Sequence, residues 1–150
     1  MKLTASKLNT FAMFKLPSAW LAGVRVKEIN DFYCTTTVRH RWMNQNPFNS
    51  MFWAVQGMAA ELSTGAMVIG KIKDSNQRIS MLVAQNKAVF TKKARGRITF
   101  ECHQGDLIDH AILKTISTGE GQTFWMQSTG KDKQGDVVSI FDFEWTIKLK

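Results

Sequence analysis

Glu61 is the one charged side chain between Arg41 and Lys71. An acid isolated in so long an uncharged stretch is a candidate for proton chemistry. If the stretch is buried, an ionised carboxylate there is costly without water, hydrogen bonds or a partner. Burial also raises its pKa and makes it a better base, suited to activating a water or to attacking an electrophilic carbon itself. At helical spacing Ser50, Ala54, Gly57 and Gly65 share its face. The face is small with one acid in it, which leaves room for a ligand beside the carboxylate. The alternative is a solvated helix glutamate or one end of an ion pair.

Other residues carry chemistry less specifically. Lys92, Lys93, Arg95 and Arg97 form the one local basic cluster; they suit phosphate groups, as point charges and forks, or a solvated turn. His40, His103 and His110 have no Ser or Cys at an interpretable spacing, and neither a triad, a zinc signature nor a phosphate loop is present. Cys34 and Cys102 lie far apart on strand-like segments. They read as reduced thiols of a cytoplasmic protein, with a disulfide left open.

These residues need elements to position them. Asn46-Pro47 reads as the start of a long helix, Asn as its cap and Pro at its first position, which by itself accounts for the pair. Met51, Val55, Met58 and Leu62 follow as an apolar stripe, and Gly70 is the expected stop. Before the helix, Val24 to Ile29 and Phe32 to Arg41 read as a hairpin around Asn30-Asp31. After it, strands are expected over Ile79 to Phe90, Arg97 to His103 and Gln122 to Thr129. Asp106 to Thr118 is helical or mixed. From Phe141 to Lys150 apolar and polar residues alternate strictly, as in a strand with one wet face.

Residues 1–20 read as a short amphipathic helical extension docked through Leu3, Phe11 and Phe14 onto a single domain over residues 1–150. Lys15 interrupts any signal-peptide core, and Pro47 to Gly70 is too polar to span a membrane. The 150 residues are 44% hydrophobic and 21% charged, with five Trp and ten Phe, which describes a globular domain with a real core. The formal net charge of +8 suits solubility, nucleic acid or a small anionic ligand; no nucleic-acid motif accompanies it, so no nucleic-acid partner is expected. The fold class is α+β. A curved, mainly antiparallel sheet wraps the uncharged helix, and a partner chain can complete the cover.

The segment Asn46-Pro47-Phe48-Asn49-Ser50 carries a resemblance to the hotdog-fold acyl-CoA thioesterases, in particular to a branch of the DUF4442 type with Asn-Pro-Phe-x-Ser at the central helix start. Many thioesterases of this fold show Asn, then His-Gly six residues on, then an acid nine residues after the His. Asn46 and Glu61 match, while Phe52 and Trp53 occupy the His-Gly positions. The resemblance implies a hotdog fold and thioester hydrolysis with Glu61 and Asn46 catalytic and Ser50 and Ser80 in support, although Ser80 also reads as an ordinary strand serine. Backbone N–H groups near Phe52 and Trp53 would polarise the carbonyl. Phe52, Trp53 and Gly57 would line the acyl site, or the two aromatics a core or dimer interface, and the basic cluster would hold coenzyme A. The implied substrate is an acyl-CoA or acyl-carrier thioester, with no cofactor beyond coenzyme A as part of it and no metal. A homodimer or homotetramer with sites between protomers is implied as well. The missing His-Gly pair supports a second reading, a non-catalytic module that binds an acyl chain or acyl-CoA.

Overall fold

The structure, a computed structural model, describes residues 2–150; Met1, the first residue of the expected extension, lies outside the described residues. Two helices open the chain, α1 (Ala5–Lys15) and α2 (Pro17–Ala22). The hairpin β1 (Arg25–Ile29) and β2 (Cys34–Arg39) follows, and then the long helix α3 (Trp53–Asp74). After it come β3 (Ile79–Phe90), β4 (Arg97–Cys102), α4 (Gly105–Thr118), β5 (Gln122–Lys131) and β6 (Val137–Leu149). These strands form one antiparallel sheet in the order β1-β2-β4-β5-β6-β3. The alternation along β6 does what it predicts: Phe141, Phe143, Trp145 and Ile147 are buried, while Asp142, Glu144 and Thr146 face the other way and keep partial contact with water. Helix α3 lies against the apolar face and contacts β2, β4, β5 and β6. A long helix held by a six-stranded antiparallel sheet is the hotdog arrangement.

The helix limits differ from expectation at both ends. Helix α3 begins at Trp53, not at Pro47, and Phe52 precedes it without a side-chain cap. Asn46 is absorbed by the turn before the helix: its Oδ1 accepts from the N–H of Phe48 at 2.9 Å and of Ser50 at 3.2 Å. An Asn oxygen satisfies a tight turn as readily as a helix start, and Pro suits either place. Asn49 takes the left-handed backbone (φ 56°) that closes this turn. At the other end, Gly70 does not stop the helix. The buried Lys71 pairs with Asp109 of α4, so tertiary contact carries the helix one more turn to Asp74.

The opening helix docks with a different face from the one expected. Leu8 and Ala12 are buried and Leu3 packs against the core, while Phe11 and Phe14 are exposed. The segment of mixed character resolves into α4, whose Ile108, Ala111, Ile112 and Thr115 are buried at helical spacing. Cys34 and Cys102 stand opposite each other across β2 and β4 as free thiols; burial pushes the first up to about 12 and the second up to about 11. Among the described residues no helix is long and apolar enough to cross a membrane.

Gly105 fixes how α4 meets the hairpin. Its N–H donates to the Phe32 carbonyl at 3.1 Å, and a Cβ there would lie 2.0 Å from the Asp31 carbonyl oxygen. Backbone cannot give way as a flexible side chain can. Gly105→Ala is therefore expected to cost about 2 kcal/mol or more, read as a lower urea midpoint at unchanged slope. An unchanged midpoint would mean that the helix and hairpin do not touch in this way.

Candidate functional site

A cavity of about 670 Å³ opens between the opening helices, α3 and β3. Met58, Glu61, Leu62, Gly65 and Ile69 of α3 form one wall, and Met81, Leu82 and Val83 of β3 another. Phe11, Lys15 and Leu16 at the α1–α2 junction close it, with Trp145 beneath. Among the described residues Glu61 is the one carboxylate in this mainly apolar lining. Glu61 is exposed at the cavity, yet desolvation by the surrounding walls raises its pKa above the usual carboxylate value. Lys15, the one cation among the described lining residues, makes no ion pair with it, so burial acts on the acid without a compensating charge. The backbone beneath Glu61 is held firmly. Trp145 Nε1 donates to Thr64 Oγ1 at 3.0 Å, and that hydroxyl donates to the Glu61 carbonyl at 2.9 Å.

The small residues on this helix serve packing. A Cβ on Gly65 would sit 3.1 Å from the Trp145 ring, and one on Gly57 would sit 3.4 Å from Phe141. The space beside Gly57 is thus taken by Phe141, whereas Gly65 packs on Trp145 and still lines the cavity. The ligand-sized volume lies instead under the opening helices. Gly57 is not part of the cavity lining, and Ser50 lies outside the helix altogether.

The residues grouped around Asn46 stand at the helix start, away from Glu61. Asn46 Nδ2 donates to Ser50 Oγ at 2.9 Å and to the Met51 carbonyl at 3.4 Å, so both ends of its amide serve the turn. The Phe52 N–H is taken by the Asn44 carbonyl. The first open helix donors are therefore those of Trp53 and Ala54. Eight residues separate Trp53 from Glu61, roughly 12 Å along the axis. Within one chain the donors and the carboxylate do not converge on a common atom. The Phe52 and Trp53 rings meet edge to face, and both are exposed.

The basic cluster divides. Lys92, Lys93 and Arg95 line a second hollow of about 430 Å³ together with Asp132 and Lys133, whereas Arg97 lies outside it, opposite Arg39 in the strand register. Lys92 is committed to Asp132 at 2.6 Å and Asp136 at 2.8 Å. Arg95 donates to the Asn49 carbonyl at 3.1 Å, and the Lys93 ammonium lies 5.9 Å from the Phe48 ring centre. The Met51 N–H donates to the Ala94 carbonyl at 2.8 Å, which seats this hollow beside the helix start. Ser80 donates to the Lys148 carbonyl at 3.1 Å and is not among the residues that line the cavity. The sequence does not mark Lys15 or Lys133 as site residues because neither neighbours a motif; chain folding alone brings them to these hollows. Among the described residues no group of His, Cys, Asp and Glu side chains could hold a metal ion.

The raised Glu61 pKa has a consequence for stability. The folded chain binds this proton more tightly than the unfolded chain, so the group lowers stability once the pH passes the ordinary carboxylate range and has no effect below it. Glu61→Gln is expected to raise Tm at neutral pH, with the gain fading as the pH falls to about 4. Paired thermal melts across that range check it. A neutral-pH Tm at or below that of the parent would mean that the carboxylate is compensated.

The comparisons with known proteins agree on the architecture. The structure of PA5026 from Pseudomonas aeruginosa, a protein of unknown function named as a probable thioesterase, superposes with a TM-score of 0.87 at 19% identity, covering 100% of this chain and 99% of that one. A mutant of thioesterase PA1618 from the same organism gives 0.76 at 16% identity, covering 100% and 97%. Thioesterase HI1161 from Haemophilus influenzae gives 0.74 at 11% identity, covering 99% and 93%. At these identities the likeness establishes the hotdog fold. No curated protein matches the sequence. The family model described as a domain of unknown function, DUF4442, matches residues 4–147, and the chain belongs to that family.

Proposed function

We propose that this protein hydrolyses an acyl thioester, with Glu61 as general base or nucleophile. The observation that carries the reading is a carboxylate with no charged partner in the cavity lining, its pKa raised by burial, in the wall of a mainly apolar cavity large enough for an acyl chain. Acting as base, Glu61 takes a proton from water as the oxygen adds to the thioester carbonyl. The tetrahedral intermediate then collapses, the C–S bond breaks, and the thiolate leaves and is protonated. Acting as nucleophile, Glu61 adds to the thioester carbonyl carbon, the C–S bond breaks as the thiolate leaves and is protonated, and water then cleaves the mixed anhydride into the free acid and the restored carboxylate. The names of the structural neighbours, thioesterase in two cases and probable thioesterase in a third, support the reaction class.

The remaining roles belong to the same proposal. Asn46 acts through the turn that sets the helix start, with Ser50 as its partner there. Lys93, Arg95 and Lys133 border the hollow that suits the phosphates of coenzyme A, while Lys92 already has two carboxylate partners. A second copy supplies what one chain lacks. Strand β3 is an edge of the sheet twelve residues long, and Trp42, Phe48, Phe52 and Trp53 are exposed aromatics beside the helix start, as a chain that pairs with itself would display. Homodimer formation, and from it a homotetramer, follows from that reading. Two free buried thiols fit a reducing, cytoplasmic setting. One observation favours the second reading, a non-catalytic acyl-binding module: within one chain the helix-start donors stand roughly 12 Å from the acid.

Two measurements decide. Hydrolysis of a short-to-long acyl-CoA panel should show turnover that falls about a hundredfold or more in Glu61→Gln, and the acid limb of kcat/KM should lie above the usual glutamate range. No turnover on any chain length by folded protein that still binds acyl-CoA would establish the binding module instead. Lys93→Ala with Arg95→Ala should raise KM for acyl-CoA at unchanged kcat and leave a pantetheine thioester without the nucleotide unaffected. Equal losses on both substrates would remove the hollow from the coenzyme A site.

A further inference from the structure

We propose that the outward face of α1 and α2 is a docking surface for an anionic lipid bilayer. Before Glu28 the chain carries five cations, Lys2, Lys7, Lys15, Arg25 and Lys27, and not one carboxylate. Helix α1 spends its inner face on the domain through Leu8 and Ala12. Roughly a third of a turn round the helix, Lys7, Phe11 and Phe14 share a face, with Lys15 beside Phe11. Phe14 is 71% exposed and Leu21, at the end of α2, 61% exposed. Phe11, Met13 and Leu16 are exposed as well.

Large apolar side chains set among lysines on a short helix are the composition that lies in the headgroup layer, where the rings reach the acyl boundary and the ammonium groups meet lipid phosphates. Charge selects the partner: α1 and α2 carry Lys7 and Lys15 and no carboxylate, which suits a negative surface. Phe14 and Leu21 stand exposed on two successive helices, and a yielding headgroup layer receives them without a matching groove. The placement also has a use. Phe11, Lys15 and Leu16 line the cavity beside Glu61, so docking sets the cavity at a surface made of acyl lipid. The docking does not rest on thioester hydrolysis, and its test involves no turnover.

The full chain is sedimented with vesicles of mixed phosphatidylglycerol and phosphatidylcholine, and with vesicles of phosphatidylcholine alone. The expected result is binding to the anionic vesicles at least about tenfold tighter than to the neutral ones, weakened by salt. Phe14→Ser with Leu21→Ser, neither residue lining the cavity, should reduce it at least about tenfold at unchanged circular dichroism and Tm. Lys7→Glu should remove the preference for anionic lipid. Absence of vesicle binding, or binding that these changes leave intact, overturns the proposal. A fall in molecular mass of the Phe14→Ser, Leu21→Ser chain in analytical ultracentrifugation, without vesicle binding by the parent, also overturns it and assigns the face to a second copy.

Discussion

Everything in this molecule depends on how α3 is fastened to the sheet. Its buried side is not purely apolar. Ser139 on β6 donates to Gln56 Oε1 at 2.7 Å, Ser63 and Ser128 share a hydrogen bond at 2.7 Å, Trp145 donates to Thr64, and Thr36 on β2 donates to the Ala59 carbonyl at 2.7 Å. Each of these polar groups would be costly if buried alone. Apolar packing tolerates a helix that slides or turns; four paired polar contacts spread from Gln56 to Thr64 do not. A rotation by one residue would leave all four unsatisfied together. The side that faces away from the sheet is thereby fixed too, and with it the direction of Glu61.

The same fastening explains the glycines. Gly57 and Gly65 weaken the helix in isolation, but they let Phe141 and Trp145 approach its backbone. Trp145 then does two things. Its ring fills the space over Gly65, and its N–H holds the Thr64 hydroxyl that holds the Glu61 carbonyl. The acid is therefore rigid at its base and free at its tip, which is how a positioned base is built.

Strand signals were legible because period-two alternation is strict where one face is wet. The β6 pattern of Phe141, Phe143, Trp145 and Ile147 needs no context, and Ile79 to Phe90 runs as read although its burial does not alternate. The helix start was misread because Asn-Pro is ambiguous: the same side-chain oxygen that would cap a helix closes the turn at Ser50. The isolation of Glu61 was legible as the absence of other charge, a property of the sequence itself. The wall over it was not. Lys15 and Leu16 lie far upstream of Glu61 in the chain, and their place depends on which face of α1 docks. Leu8 and Ala12 take that face and leave the larger Phe11 and Phe14 exposed.

Helix geometry then limits the chemistry that one chain can perform. Donors at Trp53 and an acid at Glu61 share a rigid rod, and no side-chain motion removes roughly 12 Å of rise. A site confined to one chain would have the carboxylate, its water and an apolar wall, with nothing at the helix start to stabilise the developing oxyanion. A second chain changes this only if its own helix start arrives beside the first chain's Glu61. The element able to guide it is β3: it is an edge of the sheet, and its Met81, Leu82 and Val83 already form a wall of the cavity. Pairing along that edge would bring foreign backbone to the carboxylate and continue the sheet at the same time. On the proposed reading, oligomerisation and catalysis are thus one structural event, and a chain held monomeric would retain the cavity and lose the reaction.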